Sequence, residues 1–156
     1  MYVRTQDKNH PIFAYQGVGG SGDSEANQGM FFVPPISDEA NDDVNNIPFI
    51  DFIGNTQYNS QSGVSIVTNS EATISITDGN GDYDIASLTP VPVTGKSEYK
   101  AYSITNLIGN VKVTSTGELY LAYFNTLGVA TSGGFYAGFN SPPKAEIDLG
   151  INSLGN

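Results

Sequence analysis

The chain contains no cysteine, which excludes disulfides, zinc–thiolate centres and thiol nucleophiles in any redox compartment. Positive charge is scarce as well: six Lys and Arg stand against sixteen Asp and Glu, for a net charge of −10. Phosphate backbones and anionic lipid surfaces are held by clustered cations, so neither nucleic acid nor a membrane surface is an expected partner. Long apolar runs are missing too. No stretch approaches the roughly 18 residues that cross a bilayer, so direct membrane insertion is not expected. The first twenty residues also lack the apolar middle of a signal peptide. Met1 runs straight into Tyr2-Val3-Arg4-Thr5, which reads as a strand, as in a module excised from a longer exported chain. Histidine occurs once, as His10 beside Pro11, and no Gly-x-Ser-x-Gly elbow accompanies it. A hydrolytic triad is therefore disfavoured against an exposed turn residue.

What the chain does have is punctuation. Eighteen Gly, eight Pro and many Asn leave few windows long enough for a helix. Short β-branched and aromatic runs lie between the breaks. They predict strands near 2–5, 11–16, 29–33, 48–53, 63–68, 71–77, 83–88, 98–104, 110–115, 117–125 and 133–139. The acidic, Asn-rich segment 37–46 reads as a loop, with Asp38, Glu39, Asp42 and Asp43 on a solvated surface. In Val111-Lys112-Val113-Thr114 and Ala72-Thr73-Ile74-Ser75-Ile76 apolar residues alternate with polar ones, as one buried sheet face requires. Leu119-Tyr120-Leu121-Ala122-Tyr123-Phe124 is apolar on both faces and predicts a central strand. The expected core is Ile74, Ile76, Val111, Val113, Leu119, Leu121, Phe135 and Phe139. The fold expected is all-β, a single antiparallel β-sandwich over residues 1–156, with 140–156 as a linker or edge segment.

Two segments imitate binding motifs. Gly17-Val18-Gly19-Gly20-Ser21-Gly22 has the spacing of a dinucleotide fingerprint, but Asp23-Ser24-Glu25 follow with no helical period, and two carboxylates repel a pyrophosphate. A loop between strands is the reading preferred. Asp78-Gly79-Asn80-Gly81-Asp82-Tyr83-Asp84 supplies the first three oxygen ligands of a calcium loop, yet Tyr83 stands where an EF-hand needs Gly and Thr89 where it needs Glu. Asp78, Asn80, Asp82 and Asp84 are thus candidate metal ligands, calcium being the only cofactor suggested, against the preferred reading of a plain hairpin tip. A type I′ turn on Asn80-Gly81 would set Ile76 opposite Ile85 and splay the carboxylates. Most of the nine Tyr and eight Phe are read as core; beside the breakers in Phe31-Phe32-Val33-Pro34-Pro35 and Gly133-Gly134-Phe135-Tyr136 some rings can reach the surface, where a sugar-stacking or protein-binding role is the less favoured reading of any one of them.

Pro11-Ile12-Phe13-Ala14-Tyr15-Gln16, Ala26-Asn27-Gln28-Gly29-Met30-Phe31-Phe32-Val33-Pro34-Pro35, Gly117-Glu118-Leu119-Tyr120-Leu121-Ala122-Tyr123-Phe124-Asn125 and Ser132-Gly133-Gly134-Phe135-Tyr136-Ala137-Gly138-Phe139 resemble the IgGFc-binding-protein N-terminal-like domain of large exported surface proteins, especially those of gliding Bacteroidetes. The likeness runs from about Tyr2 to Phe139 and carries no catalytic signature. It implies a secreted or cell-surface, non-catalytic adhesion module that binds a glycan or protein ligand and abuts neighbouring domains of its parent chain. The alternatives are a structural spacer of a long adhesin and, less favoured, a polysaccharide-acting enzyme with two facing carboxylates in a cleft.

Overall fold

The computed structural model describes residues 2–6, 12–18, 29–37, 40–58, 61–127 and 130–135. Within them the strands are β1 (Ala14–Val18), β2 (Gly29–Val33), β3 (Asp43–Ile47), β4 (Phe52–Ile53), β5 (Thr56–Gln57), β6 (Gly63–Asn69), β7 (Ile74–Asp78), β8 (Gly81–Asp82), β9 (Val91–Pro92), β10 (Tyr99–Thr105), β11 (Val111–Ser115), β12 (Leu119–Leu127) and β13 (Ala130–Phe135). A 3₁₀ turn covers Ile85–Ser87. Every pairing is antiparallel. One sheet runs in the order β13-β12-β6-β10-β9, a second in the order β3-β11-β7-β8, and β1–β2 and β4–β5 are two-stranded ribbons. Among the described residues no helix is long and apolar enough to cross a membrane.

The alternation read from the sequence builds the contact between the two larger sheets. Val64 and Ile66 of β6, Tyr102 and Ile104 of β10, and Leu119 and Leu121 of β12 join Val44 and Ile47 of β3, Ile74 and Ile76 of β7, and Val111 and Val113 of β11 in one buried cluster. Six of the eight expected core residues are in it; the Phe135 side chain and Phe139 lie outside the described residues. Strand β12 is central, between β13 and β6. Its second face is also covered: Tyr120 is buried and its hydroxyl accepts the Ser37 N–H at 2.8 Å. Glu118 receives the Tyr99 hydroxyl at 2.6 Å and the Tyr120 hydroxyl at 3.1 Å, tying β10 and β12 together beyond their side-chain burial.

Several expectations are corrected. Residues 43–47 form a strand where a loop was expected, because a β-bulge opposite β11 brings both Val44 and Ile47 into the core despite their three-residue spacing. The expected strand over 48–53 is a turn followed by the short β4. Residues 2–5 form no strand; Tyr2 instead donates its N–H to the Thr94 carbonyl, and Lys96 Nζ sits 5.5 Å from its ring centroid. The expected strand over 83–88 is absent; Ile85–Ser87 form a 3₁₀ turn instead, capped by the Asp84 carboxylate, which accepts the Ala86 N–H. His10, Gly19–Gly22, Asp38, Glu39 and the segment 140–156 lie outside the described residues.

Candidate binding surface

The β1–β2 ribbon pairs Tyr15 with Phe32 and Gly17 with Met30. Side chains alternate across a strand, so Phe13, Tyr15, Met30 and Phe32 fall on one face. That face is open: Phe13 is 72 %, Tyr15 60 %, Met30 78 % and Phe32 41 % exposed. Residues Phe31 and Val33, on the opposite face, are half-buried. The rings touch at tilted angles. Phe13 and Phe32 have centroids 6.5 Å apart at 48°, and Tyr15 and Phe32 lie 5.9 Å apart at 70°. Edge-to-face contacts of this kind hold rings in place without burying them. The result is a preorganised apolar row with one hydroxyl, of the composition that dominates protein-contact surfaces. Of the two segments expected to bring rings to the surface, 31–35 does so through Phe32, and the side chains of Phe135 and Tyr136 lie outside the described residues. Phe13, Tyr15 and Met30 went unsingled as surface residues, because alternating aromatics look the same whether their face is covered or open.

The acidic tip is built differently from the expected hairpin. Thr77 pairs with Asp82 and Asp78 with Gly81, so the two turn residues are Gly79-Asn80 and not Asn80-Gly81. A type I′ turn needs positive φ at both turn residues. Here Gly81, at φ 108, takes the left-handed conformation as the first residue of β8, and neither Gly79 nor Asn80 does. Asp78 fixes this arrangement: one carboxylate oxygen accepts the Asn80 N–H at 2.7 Å and the other accepts the Ile108 N–H at 3.2 Å. The Gly79 N–H in turn donates to the Ile108 carbonyl at 2.8 Å. Local carboxylate–backbone bonds therefore outweigh the Ile76–Ile85 pairing that was expected. Tyr83 donates its N–H to Ile76 instead, and both Tyr83 and Ile85 still pack on the core.

This register places Asp78 and Asp82 on opposite faces of the hairpin, with Asn80 exposed at its tip and Asp84 committed to the 3₁₀ turn. Among the described residues no three Asp, Glu or His side chains approach closely enough to hold an ion together. The expected outcome of calorimetric titration with millimolar calcium is no heat and no shift in melting temperature; saturable heat lost in Asp82→Asn and Asp84→Asn would assign the tip to calcium after all.

Comparison with known proteins adds one match. The family described as IgGFc binding protein matches residues 1–124. No curated protein and no solved structure matches the chain.

Proposed function

This chain belongs to the IgGFc binding protein family, and on that premise we propose that it is a non-catalytic recognition module of a secreted or cell-surface protein, taking a protein ligand on the open face of the β1–β2 ribbon. The family is one of binding modules, not of enzymes. The observation that carries the reading is the row Phe13, Tyr15, Phe32 and Met30, four large apolar side chains exposed on one short ribbon. Isolated exposed apolar residues are ordinary, but a contiguous patch on a soluble surface marks a contact site.

A protein is favoured over a glycan by the shape and chemistry of the row. Sugar rings stack on flat, coplanar aromatic platforms, whereas these rings stand at 48° and 70° to one another. Met30 extends them with a flexible thioether suited to irregular apolar side chains. One hydroxyl, on Tyr15, offers little to a hydroxyl-rich ligand.

The Fc fragment of immunoglobulin G, named in the family's description, is the first probe, with a glycan array in parallel. Phe13→Ser and Phe32→Ser together are expected to weaken Fc capture by about 30-fold or more, as loss of aromatic anchors does. Melting should stay nearly constant, because exposed substitutions cost within about 0.5 kcal/mol. An Fc signal indifferent to these changes would move the contact elsewhere on the module. Glycan binding without Fc binding would reverse the ligand class. Blank results with both, at ligand concentrations near 100 μM, would leave the spacer reading.

A further inference from the structure

Phe49 stands at φ 49, a left-handed conformation that a bulky residue rarely adopts. Its ring is 63 % exposed and makes an edge contact with Phe52 at 5.8 Å. The turn beneath it is braced from several directions. Phe49 donates its N–H to Asn110 Oδ1 at 3.2 Å, Ile50 donates to the Gly109 carbonyl at 2.9 Å, and buried Asn125 donates through Nδ2 to the Ile50 carbonyl at 3.1 Å. The buried Asp51 carboxylate accepts the Gly109 N–H at 2.8 Å and Gln57 Nε2 at 2.6 Å. A buried polar network thus holds an unburied ring in a backbone conformation that Asn or Gly would adopt more easily. Strain of this kind persists where the surroundings over-determine it, and it concentrates at contact sites.

The same end of the sandwich carries the acidic tip. Loop 106–110 is gripped on one side by Asp51, through Gly109, and on the other by Asp78, through Ile108. Gly109 packs on Gly79, leaving no more than ordinary contact distance for a side chain. Phe49 and exposed Asp82 therefore flank one loop, with β11 and β7 between their strands β3 and β8. Three strand spacings come to roughly 14 Å.

The geometry points to a second contact site at this end, separate from the β1–β2 ribbon, that takes a basic segment of a partner protein. A guanidinium or ammonium of that segment stacks on the Phe49 ring, and a second cation pairs with Asp82. Charge complementarity selects this occupant: the ring face attracts cations, the flanking tip is acidic, and the whole chain carries a net charge of −10.

The test is an NMR titration of the intact chain with an acetylated Arg-Leu-Arg-Leu-Arg peptide and its Glu-Leu-Glu-Leu-Glu counterpart. The Arg peptide is expected to shift the amide resonances of Phe49, Asp82 and Asn110, and the Glu peptide to leave them in place. Phe49→Ala should weaken Arg-peptide binding about tenfold, Phe49→Tyr should retain it, and salt raised from about 0.05 to 0.5 M should weaken it. Phe49→Asn should lose binding while melting at or above the parent, because the fold itself does not call for the ring. Absence of shifts at this end, equal shifts with both peptides, unchanged binding in Phe49→Ala, or a lower melting temperature in Phe49→Asn would each overturn the assignment. None of these outcomes depends on whether the ribbon binds Fc.

Discussion

Gly63→Ala is expected to lower the stability of the domain by about 4 kcal/mol, a large part of what a domain of this size possesses. Gly63 opens β6 and pairs with Thr105 on one side and Phe124 on the other. A Cβ at this position would collide with the backbone carbonyl oxygen of Ile104 and come within 2.9 Å of the Phe124 ring. The ring can turn aside, but the carbonyl belongs to the neighbouring strand and moves only if β6 and β10 separate. Urea denaturation should show the midpoint falling by more than about 1.5 M. The control is Gly54→Ala. Gly54 has open space around it but a φ of 59, so its cost is confined to conformational strain of about 1 kcal/mol. Equal effects at the two positions would refute the collision.

The second large effect is expected at Asp51, whose carboxylate is buried and accepts from Gly109 and Gln57. Asp51→Ala leaves the Gly109 N–H without its acceptor and removes two charge-assisted bonds, for a loss of about 3 kcal/mol. Asp51→Asn keeps one acceptor oxygen and should lose about half as much. Amide exchange distinguishes this cause from general loosening: in Asp51→Ala the Gly109 amide should exchange faster by more than the global change in stability accounts for. An Asp51→Ala protein with parental urea midpoint and unchanged Gly109 exchange would show that the carboxylate is not what holds loop 106–110.

The sheets could be read from the sequence wherever a strand is regular. Period-two alternation marks β7 and β11, and an apolar run on both faces marks β12 as central, because covered faces demand those patterns. Strand β3 escaped this reading. Val44 and Ile47 are three apart and would face opposite ways in a regular strand; the bulge that reunites them depends on the partner β11 and leaves no local signature. The hairpin tip escaped for a related reason. Its register is set by Asp78 reaching the Ile108 amide thirty residues away, a contact invisible to turn chemistry. For the ribbon, Phe13 and Tyr15 show where their side chains point but not whether anything lies over them. That is decided by which elements pack against β1 and β2, and alternation carries no information about it. The braced turn at Phe49 is likewise a product of two distant elements, loop 106–110 and β12.

The central place of β6 has a kinetic consequence. Its partners β10 and β12 begin thirty or more positions later in the chain, so the larger sheet has no stable middle until both of them have been made. Loop closure must be completed before those pairings reward it, which sets folding on the millisecond-to-second scale of non-local β architectures. A nascent chain of this design stays open until β10 and β12 arrive, then closes around β6 in a single late step.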